Sequence, residues 1–254
     1  MRTVQELYQY LCELAPTELQ MGFDNAGFLI GRANSEVTRV LLALDITDDV
    51  VQEAVELNAQ LIVSHHPVIF GSISRITDRE GGEKLLRLIE NRIAAICMHT
   101  NLDIVNGGVN DVLIQTLGID PIEALGADGC GRIGCMTASV PLSRFLSLCK
   151  EKLHAEGLRY YDAGKPVYKV AVMGGAGAEA IADAARAGCD TYVTADIKYH
   201  QFQQAAELGL NLIDADHFYT ENPVIFDLAD KLRCRFPELQ IVVSRKHKAL
   251  VSFY

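Results

Sequence analysis

Short apolar runs alternate with amphipathic segments along most of this chain, and the alternation predicts an α/β fold. Six runs have the length and composition of buried strands: residues 40–44, 61–63, 93–98, 170–173, 191–193 and 211–213. Four segments have apolar residues at helical spacing: residues 48–58, 83–90, 179–187 and 201–208. We therefore predict strands joined by helices, in sheets that place their ligands at the carboxyl ends of the strands.

The chain also repeats itself. Residues 40–67 align without a gap on residues 170–197, at a constant offset of 130 positions. In this register Asn58 falls on Gly188, at the end of each helix, where a left-handed residue is favoured. We predict two similar α/β lobes related by internal duplication, with a first lobe over residues 1–125, a second over residues 126–254 and a glycine-rich link at residues 126–134. Two ordinary strand–helix–strand units with common patterning are the alternative.

Composition narrows the class of protein. The 254 residues carry a formal net charge of -10, so no direct nucleic acid binding is expected. No apolar run approaches the ~18 residues that a membrane-spanning helix needs, and residues 1–14 combine helical spacing with two glutamates, unlike a signal peptide. The seven cysteines include no CxxC pair, which is typical of free thiols in a reducing compartment. We expect a cytoplasmic protein without membrane association.

Five of the seven histidines lie in four short segments, which are residues 64–67 (SHHP), 99–103 (HTNLD), 199–200 (YH) and 217–221 (HFYTE). The first of these segments directly follows a predicted buried strand. If the two lobes face each other, six side chains could meet: His65, His66, His99, Asp103, His217 and Glu221. The segments therefore predict a metal site at the strand ends.

The chemistry of this set favours two ions over one. A mononuclear site needs three or four ligands, whereas HisHis with a third histidine and two carboxylates offers five. Such a set fits two ions about 3.5–4 Å apart, and imidazole with carboxylate suits zinc, manganese, iron or cobalt. The two carboxylates also have an ordinary structural interpretation. Asp103 could be a turn or cap residue in a loop, and Glu221 could be favoured by the dipole near the start of a helix that begins at about Tyr219.

The motifs together resemble those of the Nif-three-like family, also called GTP cyclohydrolase I type 2 homologues. The matching segments are residues 24–27 (DNAG), 61–67 (LIVSHHP), 99–103 (HTNLD), 107–111 (GGVND), 131–134 (GRIG), 196–200 (DIKYH) and 217–221 (HFYTE). The resemblance implies the two-lobed Nif-three-like fold, a homohexamer and a dinuclear metal centre. The ligands that it implies are His65, His66, Asp103, His217 and Glu221. The usual tryptophan before residues 24–25 is Phe23 here, a difference expected to affect packing rather than metal binding.

Other polar residues have open roles. His99 lies in a matched motif but is not a family ligand, so it is either a catalytic acid or base or a donor that orients Asp103. Asp45 could support a ligand, and Thr47 has the position of a helix cap.

In the second copy, Asp196 and His200 occupy the place of the HisHis turn. They either line the cavity or form a structural hydrogen-bonded pair. Residues 174–177 (GGAG) could cradle an anion at a helix start, but they lack the lysine and hydroxyl residue of a P-loop, so a tight turn is favoured.

Two functions remain open from the sequence. The first is a metal-dependent hydrolase with two divalent metal ions per subunit and a small-molecule substrate, either a nucleotide or another phosphorylated or cyclic amide-like compound. The second is a non-enzymatic metal-binding regulatory or interaction protein.

Overall fold

The computed structural model describes residues 1–79 and 81–254 and shows a mixed α/β fold. The chain divides into two compact units. The first unit comprises Met1–Val105 and Ile225–Lys248, and the second comprises Asn106–Val224 and Ala249–Tyr254.

Strands and helices alternate along much of the chain. The first part of the chain contains β1 (Arg2–Thr3), α1 (Val4–Leu14), β2 (Gly27–Ile30), β3 (Glu36–Val37), β4 (Arg39–Ala43), α2 (Asp48–Glu56), β5 (Leu61–Ser64), α3 (Gly82–Glu90), β6 (Ala94–Cys97) and α4 (Thr100–Ile104). Next come α5 (Val109–Thr116), β7 (Pro121–Leu125), β8 (Gly131–Val140), α6 (Leu142–Leu153), β9 (Arg159–Tyr161), β10 (Val167–Val172), α7 (Ile181–Arg186), β11 (Thr191–Thr194), α8 (Tyr199–Leu208), β12 (Asn211–Asp214) and α9 (His217–Glu221). The last elements are α10 (Pro223–Arg235) and β13 (Gln240–Val243), and short 3-10 turns lie at Thr17–Leu19 and Ala178–Ala180. All six predicted strands and all four predicted helical segments are confirmed.

The first unit is built on a five-stranded sheet with the order β13-β4-β5-β6-β2. Its first four strands run parallel and β2 is antiparallel. Strands β5 and β6 are buried along their whole length, which is why their sequences are almost continuously apolar. Val51 of α2 and Leu88 of α3 pack into the same core as Leu41 and Ile62 of the sheet. This core fixes the carboxyl ends of β5 and β6 side by side.

The second unit is built on a six-stranded sheet with the order β7-β8-β10-β11-β12-β9. Strands β10, β11 and β12 run parallel, while the outer strands are antiparallel to their neighbours. Phe145 of α6 and Leu113 of α5 are buried against Val170 and Val193 of the sheet. Here the carboxyl ends of β11 and β12 lie side by side.

The predicted internal repeat is confirmed in structure. In the first unit Val40 pairs with Leu61 and Leu42 with Val63, and in the second unit the residues 130 positions later pair in the same register. Helix α2 corresponds at this offset to the Ala178–Ala180 turn followed by α7. Asn58 and Gly188 both have positive φ, 50° and 75°, as the helix-end prediction requires.

The boundary between the units differs from the predicted one at residue 125. Residues 106–125 belong to the second unit because β7 pairs with β8, so residues 126–130 are a hairpin connection within that unit and not a link between lobes. The chain also returns to the first unit, because β13 pairs with β4. Strand pairing between segments distant in sequence cannot be read from local composition.

Across residues 1–79 and 81–254, none of the helices has the length and apolar character that a membrane crossing requires. The seven cysteines are free thiols, as predicted.

Candidate metal centre

The first-unit cluster consists of His65, His66, His99 and Asp103. The two adjacent histidines follow β5 and His99 follows β6, so the pairing of these parallel strands brings the three rings together. The ring centroids are 4.9 Å apart for His65 and His66, 5.2 Å for His65 and His99, and 5.5 Å for His66 and His99. One nitrogen of each ring lies within 4.8 Å of a nitrogen of the others, close enough to hold one metal ion.

A turn at the end of β5 lets both adjacent histidines reach one space. In a continuous strand their side chains would point to opposite faces. The strand ends at Ser64, whose Oγ donates to the carbonyl oxygen of His66 at 2.8 Å, and the His66 amide donates to the Leu44 carbonyl at 2.9 Å. The pair therefore faces one site because the backbone leaves the pleat at residue 64.

An oxygen lies against the Nδ1 atom of every histidine in this cluster. The acceptors are the Met98 carbonyl for His65 at 2.8 Å, Asp45 Oδ1 for His66 at 2.8 Å and Asp24 Oδ1 for His99 at 2.7 Å. With the proton on Nδ1, Nε2 is the nitrogen of each ring that a metal ion would bind, the arrangement usual for metal-binding histidines. Asp45 therefore holds the His66 ring and Asp24 holds the His99 ring, each through one hydrogen bond at Nδ1.

The carboxylates of Asp24 and Asp45 are held in their charged form. Burial of Asp24 disfavours the charge, but hydrogen bonds from His99 and Thr100 outweigh it and hold the pKa of the carboxyl well below its usual range. Burial acts in the same direction on Asp45, where hydrogen bonds from His247 and His66 prevail and the pKa is again lowered. Both groups therefore remain acceptors for the histidines across the physiological pH range.

Asp103 lies in α4 and not in the predicted loop. The amides of Leu102 and Asp103 both donate to the His99 carbonyl, at 2.7 and 3.1 Å, and this pair of bonds closes the first turn of the helix. The turn places Asp103 Oδ1 3.6 Å from His65 Nε2. His99 does not orient Asp103 through its Nδ1 atom, which is bonded to Asp24.

The second-unit cluster consists of His217, Glu221 and Asp196. Helix α9 begins at His217, two residues before the predicted start near Tyr219, because the Asp216 carboxylate accepts the Phe218 amide at 3.0 Å and caps it. His217 and Glu221 are therefore one helical turn apart, and His217 Nε2 lies 3.0 Å from Glu221 Oε2.

Asp196 takes the role in this cluster that Asp45 has in the first. Its Oδ2 lies 2.7 Å from His217 Nδ1, so the predicted alternative of a pair with His200 gives way to a pair with His217, and His200 is exposed. Burial lowers the pKa of His217, but Glu221 and Asp196 outweigh it and raise that pKa to about 9. A proton and a metal ion therefore compete for the His217 ring.

The glycine-rich segment 174–177 is a tight turn that makes room for Glu221. Gly175 has φ +61°, and a Cβ there would lie 2.1 Å from Glu221 Oε1 and 3.1 Å from His217 Nε2. The amides of residues 174, 175 and 177 donate to Asn110 Oδ1, Thr220 Oγ1 and Thr194 Oγ1. Because protein atoms take these donors, the anion-cradle alternative is not supported.

The predicted helix cap at Thr47 is confirmed, since the Thr47 side chain accepts from the Val50 amide.

His247 is a residue that the sequence did not suggest. Its Nε2 lies 3.1 Å from Asp45 Oδ2, so Asp45 bridges His247 and His66. The segment that carries it is fixed by buried Glu53, whose carboxylate accepts from the Ser244 hydroxyl and from the amides of residues 245 and 246. In the sequence this segment has only the short basic run typical of a solvated strand end.

Replacing His247 with alanine is expected to weaken zinc binding about tenfold, because Asp45 would lose the contact that holds it against His66. Glutamine should restore most of the affinity, since its side-chain amide can donate to Asp45. Competition with a chromogenic chelator measures the dissociation constants. Lys246→Ala is the matched control, because it removes the neighbouring ion pair with Glu56 without touching Asp45. Equal affinity in the native and alanine proteins would contradict the expectation.

Comparison with known proteins agrees with the fold and the motifs. A profile of the Duf34/NIF3 family (NGG1p interacting factor 3) matches residues 2–249. A Clostridium perfringens protein named GTP cyclohydrolase 1 type 2 homolog is 34% identical over 98% of this chain and 99% of its own. The crystal structure of Staphylococcus aureus protein SA1388 is similar with a TM-score of 0.91 and 26% identity, over 100% and 99% of the two chains. That of a Bacillus cereus protein related to NIF3 has a TM-score of 0.89, 26% identity and the same coverage. The chain belongs to the Duf34/NIF3 family.

Proposed function

We propose that the protein is a metal-dependent hydrolase. The observation that carries the proposal is the common arrangement of His65, His66 and His217, each with Nδ1 against an oxygen, so that Nε2 is the ring nitrogen that a metal ion would bind. The donor set of imidazole and carboxylate fits a divalent transition metal. When bound, such ions act as Lewis acids and activate water for attack on an electrophilic centre.

The proposed ligands are His65, His66 and Asp103 in the first unit and His217 and Glu221 in the second. That they hold one pair of ions together is a prediction from the sequence resemblance, and zinc, manganese, iron and cobalt are the candidates. Asp45, Asp24 and Asp196 fix the ring orientations. A homohexameric assembly is part of the same proposal.

We assign His99 a role in proton transfer. Asp24 holds its Nδ1 at 2.7 Å, and the ring lies beside those of His65 and His66. A histidine whose other nitrogen is fixed by a buried carboxylate can accept or donate a proton at Nε2 in a defined direction. His99→Gln is expected to keep the metal and to lower turnover about 100-fold or more, within the range for loss of a general acid or base.

The nature of the substrate is suggested by the relatives, whose names include GTP cyclohydrolase 1 type 2 homolog. A nucleotide is the first class to test. Protein stripped by chelator is reloaded separately with zinc, manganese, iron or cobalt and assayed against nucleotides and phosphoesters. Turnover that appears only on reloading and falls in His99→Gln is the expected result. A fully loaded protein that cleaves none of these compounds would count against the hydrolase and leave the regulatory or interaction function, which the family's description as an interacting factor favours.

A further inference from the structure

Two exposed phenylalanine rings lie beside the first-unit cluster. Phe23 is 65% exposed and Phe70 is 62% exposed, and their ring centroids are 6.5 Å apart with the planes at 50°. Large aromatic side chains lose favourable burial when they face water, so a close exposed pair is a candidate binding surface.

Both rings are attached to segments that build the metal cluster. Phe23 directly precedes Asp24, the carboxylate that holds His99, and Phe70 follows the turn that carries His66. The Phe70 ring centroid is 6.4 Å from that of His99, with the rings nearly perpendicular at 82°. A flat group that contacts the two phenylalanines would therefore lie next to His99.

The two segments are fixed to each other. The side-chain amide of Asn25 donates to the Ile69 carbonyl at 2.7 Å, one residue before Phe70. Asp24 accepts from the Thr100 amide at 3.0 Å, which ties the Phe23 segment to α4 as well. These bonds hold the spacing of the rings before any ligand arrives, and pre-organisation of this kind reduces the entropic cost of binding.

We propose that Phe23 and Phe70 form a stacking site for a planar heteroaromatic ring, which places the rest of the ligand at His99 and the first-unit cluster. The inference rests on the proposed function, because it specifies the substrate as a compound with such a ring, a nucleobase being the first example. Stacking suits this role since every nucleobase has a flat π face and aromatic side chains bind it with little regard to its hydrogen-bonding pattern.

The chain contains no tryptophan, which permits a direct test. Phe23→Trp introduces a single tryptophan at the site, whose emission is excited apart from that of the nine tyrosines, and zinc-loaded protein is titrated with guanosine, adenosine, uridine and ribose 5-phosphate. We expect the nucleosides to quench the fluorescence and ribose 5-phosphate to leave it unchanged. Adding Phe70→Ala should weaken nucleoside binding about tenfold. Adding Phe226→Ala, a matched phenylalanine that is 53% exposed elsewhere in the first unit, should not change it.

Three results would overturn the inference. One is a lack of quenching by all three nucleosides in protein with native metal content. Another is equal nucleoside affinity with and without Phe70. The last is a smaller sedimenting species for Phe70→Ala, which would show that the pair covers another copy of the chain. If Phe23→Trp does not fold, Phe70→Trp with Phe23→Ala gives the same readout from the other ring.

Binding is read without turnover, so this test separates the inference from the proposed function. Quenching by nucleosides in a protein that cleaves no nucleotide would support the stacking site and count against the hydrolase. Hydrolysis of a nucleotide with the same KM in native protein and Phe70→Ala would count against the stacking site alone.

Discussion

Replacing His66 with alanine is expected to lower metal affinity about 100-fold or more. Loss of a group that only orients a ligand typically costs about 10–100-fold, and His66 is proposed to bind the ion itself. Asp45 holds the His66 ring through a hydrogen bond at Nδ1. A neighbouring side chain that took the place of this ring would lack that hydrogen bond. Metal content measured by plasma mass spectrometry after dialysis, together with chelator competition, would report the change.

His200→Ala is the matched control for this substitution. His200 belongs to a motif shared with the family, but its side chain is exposed, and Asp196, its alternative partner, is hydrogen-bonded to His217. We expect this variant to bind metal like the native protein. Native metal content in His66→Ala, or equal losses in both variants, would show that the ligands have been assigned wrongly.

Gly175→Ala is expected to abolish metal binding by the second-unit cluster and to destabilise the fold. The new methyl group would lie 2.1 Å from Glu221 Oε1, so the carboxylate must leave its position beside His217. In addition, an alanine at φ +61° costs about 1–2 kcal/mol of backbone strain. Denaturant unfolding measures the strain, and metal titration measures the loss of the carboxylate.

Gly188→Ala separates these two effects. Gly188 also has positive φ, +75°, but a Cβ there would meet nothing within 4 Å. We expect the backbone strain in this variant to lower the free energy of unfolding by a similar amount. We also expect the variant to retain native metal affinity. If Gly175→Ala binds metal as well as Gly188→Ala does, Glu221 is not a ligand, or the turn moves easily enough to accommodate the methyl group.

The strands could be predicted because their burial is nearly complete. Leu61–Ser64 and Thr191–Thr194 lie between other strands, so their residues are buried throughout and their length matches the run in the sequence. The repeat can be recognised in the sequence for the same reason, since a buried strand, a helix and a second buried strand constrain residue type at most positions. His65 and His66 follow the first of these strands and Asp196 follows the second, so the candidate metal clusters lie at the strand ends.

The parts that the sequence did not predict depend on contacts between distant residues. Asp24 and His247 lie 75 and 202 positions from the groups that they contact, and neither has a local pattern that indicates its partner. Helix α9 starts two residues before the predicted position because its cap, Asp216, has φ +67°, a conformation that the sequence does not indicate. Local pattern suggested the proposed ligands and Asp45, whereas the contacts of Asp24 and His247 required the fold.

The two copies of the repeat use equivalent backbone positions for different parts of the two clusters. Position 66 offers a ring nitrogen, whereas position 196, its counterpart, offers the carboxylate that steadies a ring. Position 45 offers a carboxylate, whereas its counterpart, Gly175, offers the empty space into which another carboxylate fits. A residue lost at one of these positions therefore has no equivalent side chain in the other copy that could replace it, although the paired strands of the two copies keep the same register.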